Sequence, residues 1–491
     1  MKTKMLYACG SLSFILFILL RITGCKSGNS TGLTTNPGVV APTFWFSGAT
    51  TPAPSDVTPF NNPAATSDSS FHLWAWQKFL SITRSSGTKA PFENYVQVDN
   101  FFNPVSDTIF LSDSSQAGTH GVLYDKQNHA ILYTIHVNQQ MHDFSQQYLP
   151  QFRSVMAAYA SWPHANKQDS LSHDLAVQHA LDSLHLDTLN YPVGCVELKT
   201  SWIYASDLGA DSVNYYLTSA IVETSAPLYT KNKVLYLTHR SVKRMAMLGM
   251  HVIGRVSNHP ELIWSTFEHE GLAPQYPWGT QWPQDTINAV PSPNNYLFYK
   301  GGSTVAQCPM NNGPTSPAGF TGLYNMFELG IAKSFISNTL PSHRDSTDQA
   351  NVISLNASVK AHLQQVSGPW KNYFYKGALW LNYPNSVYGP GRGYLGSLTN
   401  EPLRGARALS DITMESFGQV DFSGNFASGS MNCFGCHGTV DYVNVWYTQG
   451  TGDSLKYNLA LSHLFKNALG KPQPDVTATG CRNCNVELHK R

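Results

Sequence analysis

MAMLGMHVIGR (Met245 to Arg255), followed by IWSTFEHEGLAP (Ile263 to Pro274), is the stretch that decides the fold. Side chains alternate between the two faces of a strand, so Met247, Gly249, His251, Ile253 and Arg255 share one face. A hairpin centred near residues 259 and 260 places Glu268 opposite His251. A slip of one residue brings His269 there instead. Either way a His and a second polar residue project from one sheet face, which makes His251, Glu268 and His269 the candidate acid–base groups. The competing reading is a structural His–carboxylate hydrogen bond in a half-buried sheet.

Outward from this hairpin, more strand-like runs cover Val196 to Tyr204, Val213 to Glu223 and Val234 to His239. Gly121 to Val137 alternates apolar and polar residues on both sides of Asp125-Lys126-Gln127-Asn128, a hairpin signal. Helical patterns cover Gln146 to Ser161, Leu171 to Leu184 and Asn351 to Gln365. Strands joined by local turns, with helices at irregular intervals, predict an α+β body over residues 71–400 with a mainly antiparallel sheet. Glu197 and Lys199 read as a solvated or paired strand face.

The two ends differ from the body. Lys2 and Lys4 precede an apolar run, densest from Phe14 to Leu20, too short to span a bilayer and suited to a signal-peptide core. Ile22-Thr23-Gly24-Cys25 resembles the lipobox of bacterial lipoproteins, which implies removal of residues 1–24 and a lipid on Cys25. Lys26 after it points to an outer-membrane anchor in the cell envelope, facing the periplasm or the cell surface. Residues 25–70 are rich in Ser, Thr, Pro, Gly, Asn and Ala and read as a flexible tether. Over all 491 residues, 32 Lys and Arg balance 31 Asp and Glu, and only 13% of residues are charged. That balance leaves no electrostatic footprint for nucleic acid.

One motif carries chemistry. MNCFGCHG holds Cys433, Cys436 and His437 as C-x-x-C-H, the pattern of covalent c-type haem attachment. With 8 Cys and 18 His in the chain, chance supplies about 0.005 such motifs. The spacing predicts one covalent haem c, bound through Cys433 and Cys436 with His437 as axial iron ligand. A disulfide or half of a zinc site is the competing reading. Helical stripes at Gly405 to Val420 and Asp453 to Leu469 flank the motif, giving a small helical haem region over 401–475 that packs on the body. Met414, on the first stripe's shoulder, is the leading distal iron ligand. His463 is second, and an upstream His or an open iron follows. Residues 476–491 read as a tail, in which Cys481 and Cys484 suit a disulfide. Cys195 and Cys308 could form another.

Several segments together resemble a family of large, mostly uncharacterised bacterial proteins with one C-terminal c-type haem. They are FHLWAWQKFLSIT (Phe71 to Thr83), GCVELKTSW (Gly194 to Trp202), LGMHVIGR, IWSTFEHEGLAP, WKNYFYKGALW (Trp370 to Trp380) and LSDITMESF (Leu409 to Phe417), followed by CFGCHG. The resemblance implies haem c but no settled reaction. Electron transfer to a redox partner protein needs only the motif. A haem-dependent oxidoreductase, peroxidase-like or oxidising an organic small molecule, is the alternative. A haem-containing binding or sensor module is the third. Only 54 residues follow His437, thin cover for a haem, so the α+β body is expected to pack against the cofactor.

Overall fold

A computed structural model describes residues 38–62, 64–105, 109–111, 123–159, 179–180, 182–185, 189–229, 234–275, 288, 290–308, 325–328, 343–381, 403–405 and 409–415. Beyond these it describes 433, 437, 459, 462, 464 and 486–487. The expected signal peptide, Cys25, Cys436, His463, Cys481 and Cys484 lie outside the described residues, as does most of the expected helices at 171–184 and 453–469. Among the described residues no helix is long and apolar enough to cross a membrane.

The fold is α+β, as the alternation predicts. Among the described residues ten strands form one sheet: β1 (Val96–Val98), β2 (Phe110–Leu111), β3 (Leu132–Val137), β4 (Val196–Tyr204), β5 (Leu217–Tyr229), β6 (Val234–Val256), β7 (His259–His269), β8 (Tyr373–Leu381), β9 (Leu403–Gly405) and β10 (Val486–Glu487). The path runs β1-β3-β4-β6-β7-β8-β9, antiparallel throughout; β5 and β10 also pair antiparallel with β6, and β2 pairs parallel with β5. The two runs expected at Val234 and Met245 are one strand of 23 residues. The expected strand from Val213 starts later, because Gly209–Asn214 winds into a 3-10 turn.

Helices α1 (Asp68–Thr83) and α3 (His343–Leu363) cover one sheet face, and α2 (Gln139–Tyr159) packs near β1 and β3. Helix α1 starts at a capping box made by Ser67 and Ser70. It is apolar nearly all round, the pattern of an enclosed helix: Phe71, Trp74, Trp76, Phe79 and Leu80 are all buried. Phe79 stacks on Phe267 of β7 at 4.1 Å between ring centroids. Phe71 stacks likewise on Trp380 of β8. Gly254 of β6 makes room for the Trp74 ring, which a Cβ there would meet at 2.4 Å.

Two expected boundaries move. From Gly38 on, the predicted tether is folded onto the body. Trp45 and Phe60 are buried in the main core, the Ala41 amide donates to Ser358 of α3, and the buried Arg84 guanidinium donates to the carbonyls of Trp45 and Gly48. Two aromatics, Trp45 and the partly buried Phe46, anchor a segment whose composition otherwise reads as linker. The sheet also continues past residue 400, because β9 pairs with β8. Residues 409–415 then form a turn rather than the expected helix. Asp411 Oδ1 accepts from the amides of Thr413 and Met414 and from the Thr413 hydroxyl, the local bonding by which Asp competes with helix.

Candidate functional site

The face of the sheet opposite α1 and α3 carries Lys199, Gly249, His251, Thr266 and Glu268, by the parity of the β4–β6–β7 pairing. The hairpin register differs from the expected one by two residues. Thr266 faces His251, and Glu268 faces Gly249. The turn lies at Ser257-Asn258, where Asn258 has φ 60°, a left-handed conformation that Asn tolerates. A shift of two preserves parity, so Glu268 still shares a face with His251. His269 falls on the other face. There its ring stacks on Tyr215 at 3.6 Å, it bonds the Asn214 carbonyl and the Gly271 amide, and burial pushes its pKa down to about 4.

Two linked ionic groups fill the polar face. His251 meets Thr266 Oγ1 through Nδ1 and Glu415 Oε2 through Nε2, both at 2.9 Å. Thr266 already donates to the Leu409 carbonyl, which leaves its oxygen to accept from the His251 ring. Lys199 stands 3.8 Å from Glu415. Burial works against the Glu415 carboxylate, but His251, Lys199 and the Asp411 amide outweigh it and hold its pKa at about 2. In the second group the Lys376 ammonium lies between Glu328 at 2.6 Å and Glu268 at 3.2 Å, and also donates to the Ser410 carbonyl. Burial disfavours that ammonium, yet the carboxylates around it hold its pKa above the usual value. Burial and the neighbouring Glu328 push Glu268 far up.

Cys433 and His437, the described residues of the C-x-x-C-H motif, lie against this same face. The His437 amide donates to the Cys433 carbonyl at 2.7 Å, one α-helical turn. Residues four apart on such a turn lie one above the other, which sets the Cys433 thiol and the His437 imidazole on one side. The His437 ring lies 4.4 Å from Trp264, a β7 residue opposite Ile253 and two positions along from Thr266. Cys433 is half-buried against the main core. A thiol and an imidazole on one turn, beside the Trp264 ring, are two of the three donors expected of a c-type haem site.

Other predicted residues scatter. Met414 is wholly buried in an apolar cluster with Leu248, Phe298 and Ile412, separate from the cluster that Cys433 packs against. Cys195 and Cys308 are free buried thiols, not the disulfide entertained from sequence. Burial pushes each to about 12. Of the strand face expected to be solvated or paired, Lys199 is partly buried and pairs with Glu415, whereas Glu197 is buried. Sequence reasoning missed Lys376, Glu328, Asp411 and Glu415. Lys376 carried a signal, being the one charge inside the apolar YFYKGALWL of β8. A separate group, Asp125, His129 and Asp207, holds its ligand atoms within 4.8 Å of one another. No protein family, curated protein or solved structure matches the chain.

Proposed function

We propose that the protein is an exported, lipid-anchored monohaem c-type protein that transfers electrons to a partner protein. The observation that carries this reading is the Cys433–His437 turn set against Trp264. Cys433 and Cys436 would hold the porphyrin, and His437 would ligate the iron; bound haem supplies a one-electron couple. The chain's own part is to shield that group with Trp264 and the sheet, and to set an ionic row two residues further along the same face. Expression with the haem-attachment machinery, followed by intact mass and iron analysis, should give one haem per chain. Loss of the haem mass in Cys433→Ser is the matching control. A chain without added mass, or with one zinc, overturns the reading. The anchor has its own test: Cys25→Ser should move the protein from membranes to the soluble envelope fraction.

A haem-dependent oxidoreductase is the second reading, favoured by the His251–Glu415 pair beside Trp264. A His oriented by a carboxylate moves protons near neutral pH. Slow carbon monoxide binding by the reduced protein supports electron transfer. Fast binding, with peroxide turnover lost in His251→Ala, supports the enzyme.

A further inference from the structure

On the helix-bearing side of the sheet, a groove of about 690 Å³ opens between the turns at Phe46–Ala49, Arg84–Ala90 and Ser367–Lys371. That volume is within the range of small-molecule sites. Arg84, Lys89, Arg244 and Lys371 line it, and no Asp or Glu does. Its inner wall includes Trp370 stacked on Tyr216 at 4.8 Å, both rings buried. Tyr216 is tied back by a 2.5 Å hydrogen bond to Glu93.

Three of the four cations are not explained by the fold. Arg84 bonds only uncharged acceptors, the carbonyls of Trp45 and Gly48 and the Thr51 hydroxyl. Its place at the C-terminal end of α1 is favourable by itself. Lys89 and Arg244 have no helix end to complement, and both are exposed. Among the described residues no carboxylate comes within 4.0 Å of Lys89, Arg244 or Lys371. Like charges gathered round a cavity repel one another, and an anion seated between them reverses that penalty.

We propose that this groove binds a small organic polyanion, its negative groups held by Lys89, Arg244 and Lys371 and its planar or apolar part lying against Trp370. Phosphate esters and polycarboxylates share this chemistry. Titration calorimetry of the purified full-length protein at low salt, with adenosine diphosphate and with citrate, separates them. At least one probe should bind saturably at one per chain. The diphosphate should bind tighter if phosphate and a planar base are recognised, and citrate if carboxylates are. Lys89→Gln combined with Arg244→Gln changes only exposed side chains and should weaken binding by about tenfold or more, with thermal unfolding unchanged. The proposal is overturned if neither probe binds saturably, or if the double variant binds as tightly as the parent. The groove is remote from Cys433 and His437 in the contacts it makes, so a chain that fails to take haem still tests it.

Discussion

Glu197 sits on β4 with only 7% of its surface exposed and with Oε2 lacking a hydrogen-bond partner. Burial raises its pKa to about 7, against the pull of Ser462 and Lys199. A carboxyl raised in the fold binds a proton that the unfolded chain has already lost above pH about 4.5. Stability is therefore lost as pH climbs from about 4.5 through 7. Glu197→Gln should raise the unfolding temperature at pH 8, by a free energy of up to about 3 kcal/mol, and change little at pH 5. Equal effects at both pH values would remove titration as the cause. Gly249 gives a second test. A Cβ there would come within 2.2 Å of Asp411 Oδ2. That carboxylate cannot retreat without releasing the two amides and the hydroxyl that shape the 409–415 turn. Gly249→Ala should cost about 1–3 kcal/mol in urea unfolding.

Among the elements, the N-terminal segment makes the sharpest prediction. Trp45 is fully enclosed, so Trp45→Ala should destabilise the body by about 3–5 kcal/mol in chemical denaturation, whereas a tether would tolerate it. That segment was misread because composition averages over 45 residues and hides three consecutive aromatics. Strand β4 was legible to its ends, since five of its nine residues, Val196, Thr200, Trp202, Ile203 and Tyr204, are β-branched or aromatic and no Gly or Pro interrupts them. The β6–β7 hairpin was legible in parity but not in register. Asn258 adopts the left-handed turn conformation, and this moves the turn two residues earlier than the hydrophobic pattern suggests. The 409–415 turn was illegible from periodicity, because Leu409 and its neighbours fit a helical stripe while the Asp411 side chain bonds the backbone in another shape. Of the site, the attachment motif was plain. The ionic row was half visible, because Glu328, Glu415 and Lys376 reach it from segments far apart in the chain.

At the scale of the whole molecule, buried histidines set the acid limit. Burial lowers His136 to about 3 and His269 to about 4. Unfolded, both rings take a proton near pH 6.5; folded, neither does until far lower. The unfolded state thus binds more protons below pH about 6.5, and stability falls from there toward pH 3. Glu415, held at about 2, adds its own loss below about 4.5, where its unfolded form is protonated. Unfolding temperature measured from pH 7 to pH 4 should therefore carry a histidine-driven decline, opposed by the gain at Glu197. The decline should be shallower in His136→Gln.

The seating of the N-terminal segment also governs timing. The Ala41 amide finds its partner on Ser358, 317 residues later, and Val39 reaches Asn351 across 312. Ring closures of that span carry a large entropic toll before any contact rewards them. Strand pairing between distant segments slows folding further. A ribosome releasing this chain at about 5–20 residues per second would expose Trp45 for many seconds before α3 emerges to receive it. These early-made aromatic residues are among the last to be sheltered, so the nascent chain stays open, a natural client for holding chaperones, until most of its length has been synthesised.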